Sequence, residues 1–296
     1  MSEECDFAGF KKITIIGCGL IGGSIGLALR KNSYSGEITG IDREEVIEKA
    51  IHRGAIDFGS EQIEKGVKNA DMVILATPVQ EIIKLLSKIK PFLTEHCLVT
   101  DTGSTKTDIL VEAQSAFSDK YDFIGGHPMS GLEKGGIQYA HPDLFVGKPY
   151  LIVSKSGNSS SADLKMSSLV NRIGAIEIKM DSSEHDRVVA LVSHLPQLIA
   201  VMMPNMLGSL VKERNNEQYF RICGNVFNEM TRVASSPFSI WKDIYQTNCK
   251  WTVASIDELE DLLEKAKEKI IKNPAGLEED FNRARTFKEK MFVKDD

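Results

Sequence analysis

The feature that most constrains this chain is a glycine pattern close to its N-terminus. Residues 12–16 (KITII) favour a short strand, and residues 17–22 (GCGLIG) follow directly, before a stretch that can form a helix. In such a G-x-G-x-x-G pattern the first glycine permits a tight turn and the second lets a pyrophosphate approach the backbone. The third lets the helix pack closely on the strand. The pattern predicts a dinucleotide-binding unit in which helix amides face the anion.

A second predicted strand indicates which dinucleotide binds. Residues 37–41 end at Asp42, which lies 20 residues beyond Gly22. A carboxylate there can accept hydrogen bonds from a ribose 2′-hydroxyl and would repel a 2′-phosphate, so NAD is favoured over NADP. The adjacent Arg43 weakens that preference, because an arginine can accommodate a 2′-phosphate.

The alternation of strands and helices continues to about residue 180. Further strands are predicted at residues 72–77, 97–100, 121–124, 149–153 and 175–179, and helices at residues 79–89, 106–117 and 163–172. Nearly unbroken apolar strands suit a parallel sheet that is covered on both faces, and ligands bind such sheets at the carboxyl ends of the strands. The residues predicted to bind NAD are Gly17, Gly19, Leu20, Ile21, Gly22, Asp42, Arg43, Thr77, Pro78 and Thr102.

Two polar segments follow predicted strands and could bring catalytic groups to that edge. Residues 125–131 (GGHPMSG) set His127 among small and turn-forming residues, which predicts a loop rather than a regular strand. A loop histidine is commonly a solvated or capping residue, but this position also suits a general base. Residues 101–106 (DTGSTK) follow another strand, and there Ser104 or Thr105 can cap the next helix while a hydroxyl faces a pocket.

The second half of the chain reads as helical. From residue 181 onward strand patterns nearly vanish and glycine becomes rare, and Ser182 or Ser183 can cap the first helix. We therefore predict a dinucleotide-binding domain at residues 1–180 and a helical domain at residues 181–296. The predicted fold class is α/β, a Rossmann-type doubly wound parallel sheet followed by an all-helical domain.

The helical half carries two further candidate positions. The apolar density of residues 188–210 predicts a helix that is buried all round and kinked by Pro196. His194, beside the kink, could bind a ligand or could equally bond with the freed backbone carbonyl. A later helix over residues 219–233 would place Glu229 and Arg232 on one face, where an exposed ion pair is the plainest role for both.

Composition limits the class of partner. The 296-residue chain has a net charge of −6 and no run of five basic residues, which argues against binding nucleic acid. Its five cysteines lie far apart without a C-x-x-C pair, so neither a disulfide framework nor a zinc site is suggested. The N-terminus lacks a signal-peptide pattern, and prolines and polar residues interrupt the most apolar segment. We expect a cytoplasmic protein that binds a small molecule and no metal, nucleic acid or membrane.

Seven motifs occur in an order and spacing that chance does not explain. They are GCGLIGGS at 17–24, ATPV at 76–79, DTGSTK at 101–106, GGHPMSG at 125–131, EHDRVVA at 184–190, SHLPQ at 193–197 and TRVASSPFSIWKDI at 231–244. With these motifs the chain resembles, nearly end to end, the prephenate and arogenate dehydrogenases of tyrosine biosynthesis, and most of all the monofunctional prephenate dehydrogenases. The resemblance implies a homodimer formed through the helical domain. It also implies NAD-dependent oxidative decarboxylation of prephenate to 4-hydroxyphenylpyruvate at a site between the domains.

The resemblance implies a role for each candidate residue. His127 is similar to the family's catalytic histidine, which draws off the proton of the substrate's C4 hydroxyl, and Ser104 to the serine that shares this hydroxyl. Arg232 is similar to the arginine that holds the ring carboxylate. His194 resembles a second histidine that contacts the substrate. The remaining pocket or gating positions are Glu133, Glu229 and Trp241, and in the family the tryptophan can come from the partner chain.

The sequence departs from the family pattern just before Arg232. Many members carry GGFRD there, whereas residues 224–229 of this chain read GNVFNE, so an arginine is missing at Asn228. Members that prefer arogenate can use an acidic residue near Asn225 to meet the substrate's ammonium group. Because Asn225 is neutral, we predict prephenate as the substrate, with arogenate as the alternative.

Two other functions fit the residues less well. A β-hydroxyacid dehydrogenase of the 6-phosphogluconate dehydrogenase type would use a helix lysine, and no lysine lies between Lys179 and Lys212. A non-catalytic NAD-binding redox sensor would have no use for the base and the carboxylate clamp that Ser104, His127 and Arg232 predict.

Overall fold

An eight-stranded sheet organises most of the chain. In this computed structural model, which describes residues 9–117, 122–154 and 161–291, the strands are β1 (Lys12–Ile16), β2 (Glu37–Ile41), β3 (Phe58–Ser60), β4 (Met72–Leu75), β5 (Leu98–Asp101), β6 (Asp122–Pro128), β7 (Pro149–Val153) and β8 (Ile176–Met180). Their spatial order is β3, β2, β1, β4, β5, β6, β7, β8. Neighbours pair in parallel, except that β6 and β7 are antiparallel. This order confirms the predicted doubly wound, Rossmann-type sheet.

Helices connect the strands and then make up the second half. They are α1 (Leu20–Lys31), α2 (Glu44–His52), α3 (Ile63–Val67), α4 (Val79–Ile89), α5 (Thr107–Phe117), α6 (Ser161–Arg172), α7 (Ser182–Val189), α8 (Leu195–Arg214), α9 (Asn225–Thr231), α10 (Phe238–Thr247), α11 (Cys249–Lys272) and α12 (Glu278–Lys290). Short 3-10 helices lie at Lys90–Phe92, Ile137–Tyr139, Glu217–Ile222, Arg232–Ser235 and Pro274–Leu277. The elements β3, α2 and α3 were not predicted, because they are short and lack a long apolar run.

Helices cover both faces of the sheet, as the unbroken apolar strands predict. One buried cluster joins the sheet to α1 and α6, and a second joins it to α4 and α5. Representative side chains are Ile13, Ile25 and Met166 in the first cluster and Val73, Leu86 and Ile109 in the second. Because both faces are buried, the carboxyl edge of the sheet is the place where polar side chains can gather.

The glycine turn has the geometry that its pattern predicts. Gly17 has φ +95°, and a Cβ there would lie 2.6 Å from the carbonyl oxygen of Ala76. A Cβ on Gly22 would lie 2.0 Å from the carbonyl oxygen of Gly17, so a larger residue would separate helix from strand. A Cβ on Gly19 would meet open space. The first and third glycines are therefore required by packing, whereas the second leaves room for a ligand.

The segment around His127 is a strand, and the loop predicted there is wrong. β6 runs through Gly125 and Gly126 to Pro128, and His127 lies opposite Leu151 of β7. The glycines are needed for space rather than for a turn, because a Cβ on Gly126 would lie 2.5 Å from the carbonyl oxygen of Asp101. Pairing with an antiparallel neighbour outweighs the local preference for a break. Tyr121, where this strand was predicted to begin, lies outside the described residues.

The start of the helical half also differs from the prediction. Asp181, rather than Ser182 or Ser183, caps α7, and its carboxylate accepts hydrogen bonds from two amides. A five-residue π-helix, Ala190–His194, separates α7 from α8. Pro196 is the second residue of α8, directly after the π-helix, and the backbone stays helical from α7 into α8.

The prediction that residues 188–210 are buried all round is wrong for the single chain. Leu191, Val192 and Met206 are more than half exposed. By length and composition alone, the segment Ser182–Arg214 would also suffice to cross a membrane, a test that core helices of soluble proteins pass too. Apolar density marks a face that is kept from water, but it does not tell whether the same chain covers that face.

The single helix predicted over residues 219–233 is instead three short elements. The 3-10 helix Glu217–Ile222 and α9 are separated by Gly224, whose backbone is extended, and a second 3-10 helix begins at Arg232. Glu229 and Arg232 consequently belong to different elements.

The chain divides into two compact units, Met1–Cys249 and Lys250–Asp296. The first contains the sheet and the helices from α1 to α10. The second contains nearly all of α11 together with α12, which are joined by an ion pair between Lys269 and Asp280. The division predicted at residue 180 falls inside the first unit, where the chain passes from sheet to helices.

Candidate active site

Strand β6 brings His127 to the carboxyl edge of the sheet. β5 and β6 are parallel, so the end of β6 lies beside Asp101 at the end of β5. The amide of Gly126 donates to Asp101 Oδ1 at 3.2 Å. The His127 side chain is only 7% exposed. A histidine held this firmly at a ligand-binding edge is a candidate base rather than a solvated surface residue.

A line of buried polar groups runs from His127 to helix α7. Nδ1 of His127 lies 2.9 Å from Nε2 of His185. Nδ1 of His185 lies 2.8 Å from Oδ1 of Asp186. His185 and Asp186 are both almost wholly buried. No local pattern in the sequence predicts a role for either residue.

Asp186 also caps helix α5 from a distant part of the chain. Its two carboxylate oxygens accept hydrogen bonds from the amides of Lys106, at 2.7 Å, and Thr107, at 2.9 Å. The cap predicted at Ser104 or Thr105 is therefore supplied by another element. Thr105 instead places its hydroxyl 2.8 Å from the hydroxyl of Thr247. Ser104 lies half-buried in the turn before α5. Because Asp186 caps that helix, the Ser104 side chain is not needed as the cap.

A buried ion pair lies beneath the same turn. Lys106 is fully buried and its Nζ contacts Oδ2 of Asp101. The same oxygen accepts the amide of Gly103 at 2.7 Å. Burial lowers the pKa of Lys106, although the neighbouring Asp101 opposes that shift. The pair orders the segment that carries Ser104.

The two histidines nearest the edge are held neutral. Burial is the main cause of a pKa for His127 well below its usual value, and interactions with His185, Lys106 and His194 act in the same direction. Burial also lowers the pKa of His185, although its hydrogen bond to Asp186 opposes the shift. A neutral imidazole is the form that can accept a proton.

Asp186 is the charged member of this line. Burial alone would raise its pKa, but hydrogen bonds from His185 and from the backbone at Thr107 and Lys106 outweigh burial, and the pKa falls below its usual value. The carboxylate is therefore ionised at neutral pH, with all its partners supplied by the protein.

His194 lies beside this line, at the end of the π-helix. Its Nδ1 is 3.2 Å from the side-chain nitrogen of Asn248, which donates to the backbone carbonyl of Asp186 at 2.7 Å. The indole of Trp241 meets the His194 ring edge-on, with ring centroids 6.2 Å apart. Tyr245 packs against that indole. The ring of His194 thus contacts the side chain of Asn248 rather than a freed backbone carbonyl, and its role in binding a ligand stays a prediction.

Arg232 and Glu133 come together although they are 99 residues apart. They form an ion pair in which Arg232 is two-thirds exposed. Glu229 and Asn225 are exposed on α9. The helix pair expected between Glu229 and Arg232 is thus replaced by a contact with the segment that follows β6.

The residues predicted to hold NAD surround the glycine turn. Oδ2 of Asp42 accepts the Cys18 amide at 2.8 Å, which sets the carboxylate beside the turn, and the side chain of Arg43 is exposed next to it. Leu20 and Ile21 open α1, Pro78 precedes α4, and the amide of Thr102 donates to the carbonyl of Leu75. The buried hydroxyl of Thr77 has no hydrogen-bond partner among the residues that the structure describes, which suits a polar ligand at this place. Open space at Gly19 and the Asp42 carboxylate fit a pyrophosphate and a ribose diol.

The sheet, the glycine turn and a buried neutral histidine at the carboxyl edge define an NAD-dependent oxidoreductase of the dinucleotide-binding class. Two family models match, "Prephenate dehydrogenase, nucleotide-binding domain" at residues 25–178 and "Prephenate dehydrogenase, dimerization domain" at residues 181–286. The chain belongs to the prephenate dehydrogenase family.

Individual relatives agree with that assignment. A prephenate dehydrogenase of Lactococcus lactis is 36% identical over 92% of this chain and 74% of its own length. The crystal structure of a prephenate dehydrogenase from Aquifex aeolicus, in complex with hydroxyphenyl propionate and NAD+, is 28% identical and covers 95% of this chain and 98% of that chain, with a TM-score of 0.87. Arogenate dehydrogenase of Synechocystis is 25% identical over 95% of this chain and 99% of that chain, with a TM-score of 0.81.

The buried histidines predict a specific loss of stability in acid. Burial lowers the pKa of His194 from 6.5 to about 4, so the unfolded chain binds protons at a higher pH than the folded chain. The free energy of unfolding should therefore fall as the pH drops below 6.5, and His194 alone should account for up to about 3 kcal/mol by pH 4. Urea unfolding between pH 7.5 and 4 measures this dependence.

Variants separate this contribution from the rest of the molecule. His194→Gln should flatten the dependence of the unfolding free energy on pH, whereas His52→Gln, at an exposed site on α2, should leave it unchanged. Equal slopes for the wild type and His194→Gln would contradict the assignment.

Proposed function

We propose that this chain catalyses the NAD-dependent oxidative decarboxylation of prephenate to 4-hydroxyphenylpyruvate, a step of tyrosine biosynthesis. The observation that carries the proposal is a buried, neutral His127 at the carboxyl edge of an NAD-binding sheet. The Aquifex relative supports it, because its complex pairs NAD+ with a ligand that carries a hydroxyphenyl ring, as the product does.

His127 acts as the base in this proposal. It takes the proton of the C4 hydroxyl while the C4 hydrogen leaves as hydride. NAD+, which the glycine turn and Asp42 would hold, would supply the acceptor for that hydride. The bond from the ring to its carboxylate then breaks, CO2 departs, and the electron pair completes the aromatic ring. His127 returns its proton to the new phenol oxygen, so the base ends the cycle neutral. Burial suits this role, because the base begins uncharged and tightly oriented.

The other predicted residues orient the substrate. Ser104, in the turn before α5, shares the C4 hydroxyl with His127. Arg232 holds the ring carboxylate that leaves. Its present pair with Glu133 is exposed, and such pairs contribute little, so exchanging Glu133 for a substrate carboxylate costs little. His194 and Trp241, which pack together, form a wall of the pocket, and Glu133 and Glu229 lie at its entrance.

Prephenate is the proposed substrate rather than arogenate. The two differ in the side chain, which carries a keto group in prephenate and an ammonium group in arogenate. Asn225, at the start of α9, is exposed and neutral, so it offers no charge to stabilise an ammonium. Arogenate stays the second candidate, because a structural relative is an arogenate dehydrogenase.

A homodimer formed through the helical half is part of this proposal, as are cytoplasmic localisation and the division at residue 180. Several apolar residues of the helical half, among them Met206, Val226 and Phe238, are more than 70% exposed. Faces of this kind are commonly covered by a partner, and the family model over residues 181–286 is described as a dimerization domain.

Replacing the base tests the chemistry. His127→Asn should reduce kcat with prephenate and NAD by about 10²- to 10⁴-fold, because a positioned base contributes about that much. Affinity for prephenate should change little, since hydroxyl contacts can be kept by the amide. NADH absorbance follows turnover, and His52→Asn on the exposed side of α2 is the matched control. Full turnover by His127→Asn would remove this residue from the mechanism.

The choice of substrate and cofactor is tested by one comparison. Initial rates with prephenate and with arogenate, each with NAD and with NADP, should be highest for prephenate with NAD. Asn225→Asp should raise the rate with arogenate relative to that with prephenate, because the new carboxylate would meet the ammonium group. A higher kcat/KM for arogenate in the wild type would overturn the argument from Asn225.

A further inference from the structure

The hydrogen bonds between His127 and α7 can be followed proton by proton. Backbone amides only donate, so both oxygens of Asp186 act as acceptors toward Lys106 and Thr107. Oδ1 of Asp186 also lies 2.8 Å from Nδ1 of His185. That contact is attractive only if Nδ1 of His185 carries a hydrogen, because an ionised carboxylate has none to give.

The position of one proton fixes the next. A neutral imidazole carries one N–H, so a hydrogen on Nδ1 of His185 leaves a lone pair on its Nε2. Nε2 of His185 lies 2.9 Å from Nδ1 of His127, and this contact needs a single hydrogen. Nδ1 of His127 must supply it. His127 in turn keeps a lone pair on Nε2, the nitrogen that points away from His185.

We propose that His185 and Asp186 are positioning residues that hold His127 in the tautomer with hydrogen on Nδ1, so that Nε2 is the base. The proposal rests on the function given above only in naming what the base acts upon. The tautomer itself follows from contacts within the protein. Neither residue touches the substrate in this account.

The opposite arrangement is disfavoured by the same contacts. A hydrogen on Nε2 of His127 would require His185 to donate from its own Nε2 and to turn a lone pair toward Oδ1 of Asp186. Two lone pairs would then face each other at 2.8 Å in a buried place. Adding a proton to His185 would relieve the clash, but burial and the nearby charge of Lys106 oppose a second cation there.

Other charged or titratable groups lie beside this line of residues, and Asp108 on α5 interacts with the charge of Asp186. Lys106 begins the segment capped by Asp186, and Asp101 on β5 pairs with it. His194 approaches from the π-helix and is itself held neutral. The line of hydrogen bonds thus begins at the ionised carboxylate of Asp186 and ends at Nε2 of His127, which keeps its lone pair.

Nitrogen NMR reads the tautomer without any turnover. The full chain is labelled with ¹⁵N-histidine, and long-range ¹H–¹⁵N correlations distinguish a protonated ring nitrogen from one with a lone pair. The spectra of His127→Asn and His185→Asn assign the two rings among six histidines. We expect Nδ1 of His127 to be protonated and Nε2 to be bare at neutral pH. A protonated Nε2 on a neutral His127 would overturn the proposal.

Two substitutions of His185 distinguish positioning from simple packing. Asparagine can keep an N–H near the position of His185 Nδ1, but it has no atom at the position of Nε2. Glutamine can place its amide oxygen at the position of Nε2, where it can accept a hydrogen bond from Nδ1 of His127. His185→Asn should give a mixture of His127 tautomers, and His185→Gln should restore the single one. An unchanged tautomer in a folded His185→Asn protein would overturn the proposal.

Steady-state kinetics of the His185 variants provide a second test. His185→Asn should lower kcat with prephenate by about 10- to 100-fold at unchanged KM, as is usual for groups that orient a functional side chain, and His185→Gln should recover most of it. Equal losses in both variants, with the wild-type tautomer in both, would show a packing role and overturn the proposal. If the wild type itself fails to oxidise prephenate, the proposed function fails, while the NMR result still decides the tautomer.

Discussion

The carboxylate of Asp186 is the contact on which the arrangement of the site depends. A buried charge is costly unless it is fully paired, and this one is satisfied by two helix amides and one imidazole. Those partners come from the turn before α5 and from α7, and through His185 the contact reaches β6. One ionised group thereby fixes the relative positions of Ser104 and His127, which are delivered by two different strands. Removing the Asp186 carboxylate would leave two amides at the start of α5 without an acceptor, and His185 could then change tautomer.

The burial of this region serves the chemistry. Burial keeps His127, His185 and His194 neutral, so a base is available without a competing cation. The same burial makes the site sensitive to acid, because each histidine gains a proton more readily in the unfolded chain. Lys106 is the exception, and its charge is paired directly with Asp101. The burial that keeps the base neutral and oriented therefore also lowers the free energy of unfolding at low pH.

The sequence predicts the framework well, because its signals are local. A β-branched run, three spaced glycines and an acid 20 residues later are each explained by short-range geometry, and Gly17 and Gly22 behave as that geometry requires. What it misses depends on distant partners. The strand through Gly125 and Gly126 needs β7 beside it, and the cap of α5 comes from Asp186, 80 residues away. The motif EHDRVVA can be recognised in the sequence, but no neighbouring residue indicates that the His185 side chain contacts His127, 58 residues away.

The central claim is that a neutral, buried His127 is the base, and the dependence of kcat/KM on pH tests it most directly. Initial rates of NADH formation from prephenate are measured across neutral and acidic pH at constant ionic strength. Because the pKa of His127 lies well below 6.5, the account predicts a plateau that extends from neutral pH to below 6.5 before activity declines. An acidic limb with an apparent pKa at or above 6.5, which disappears in His127→Asn, would contradict it.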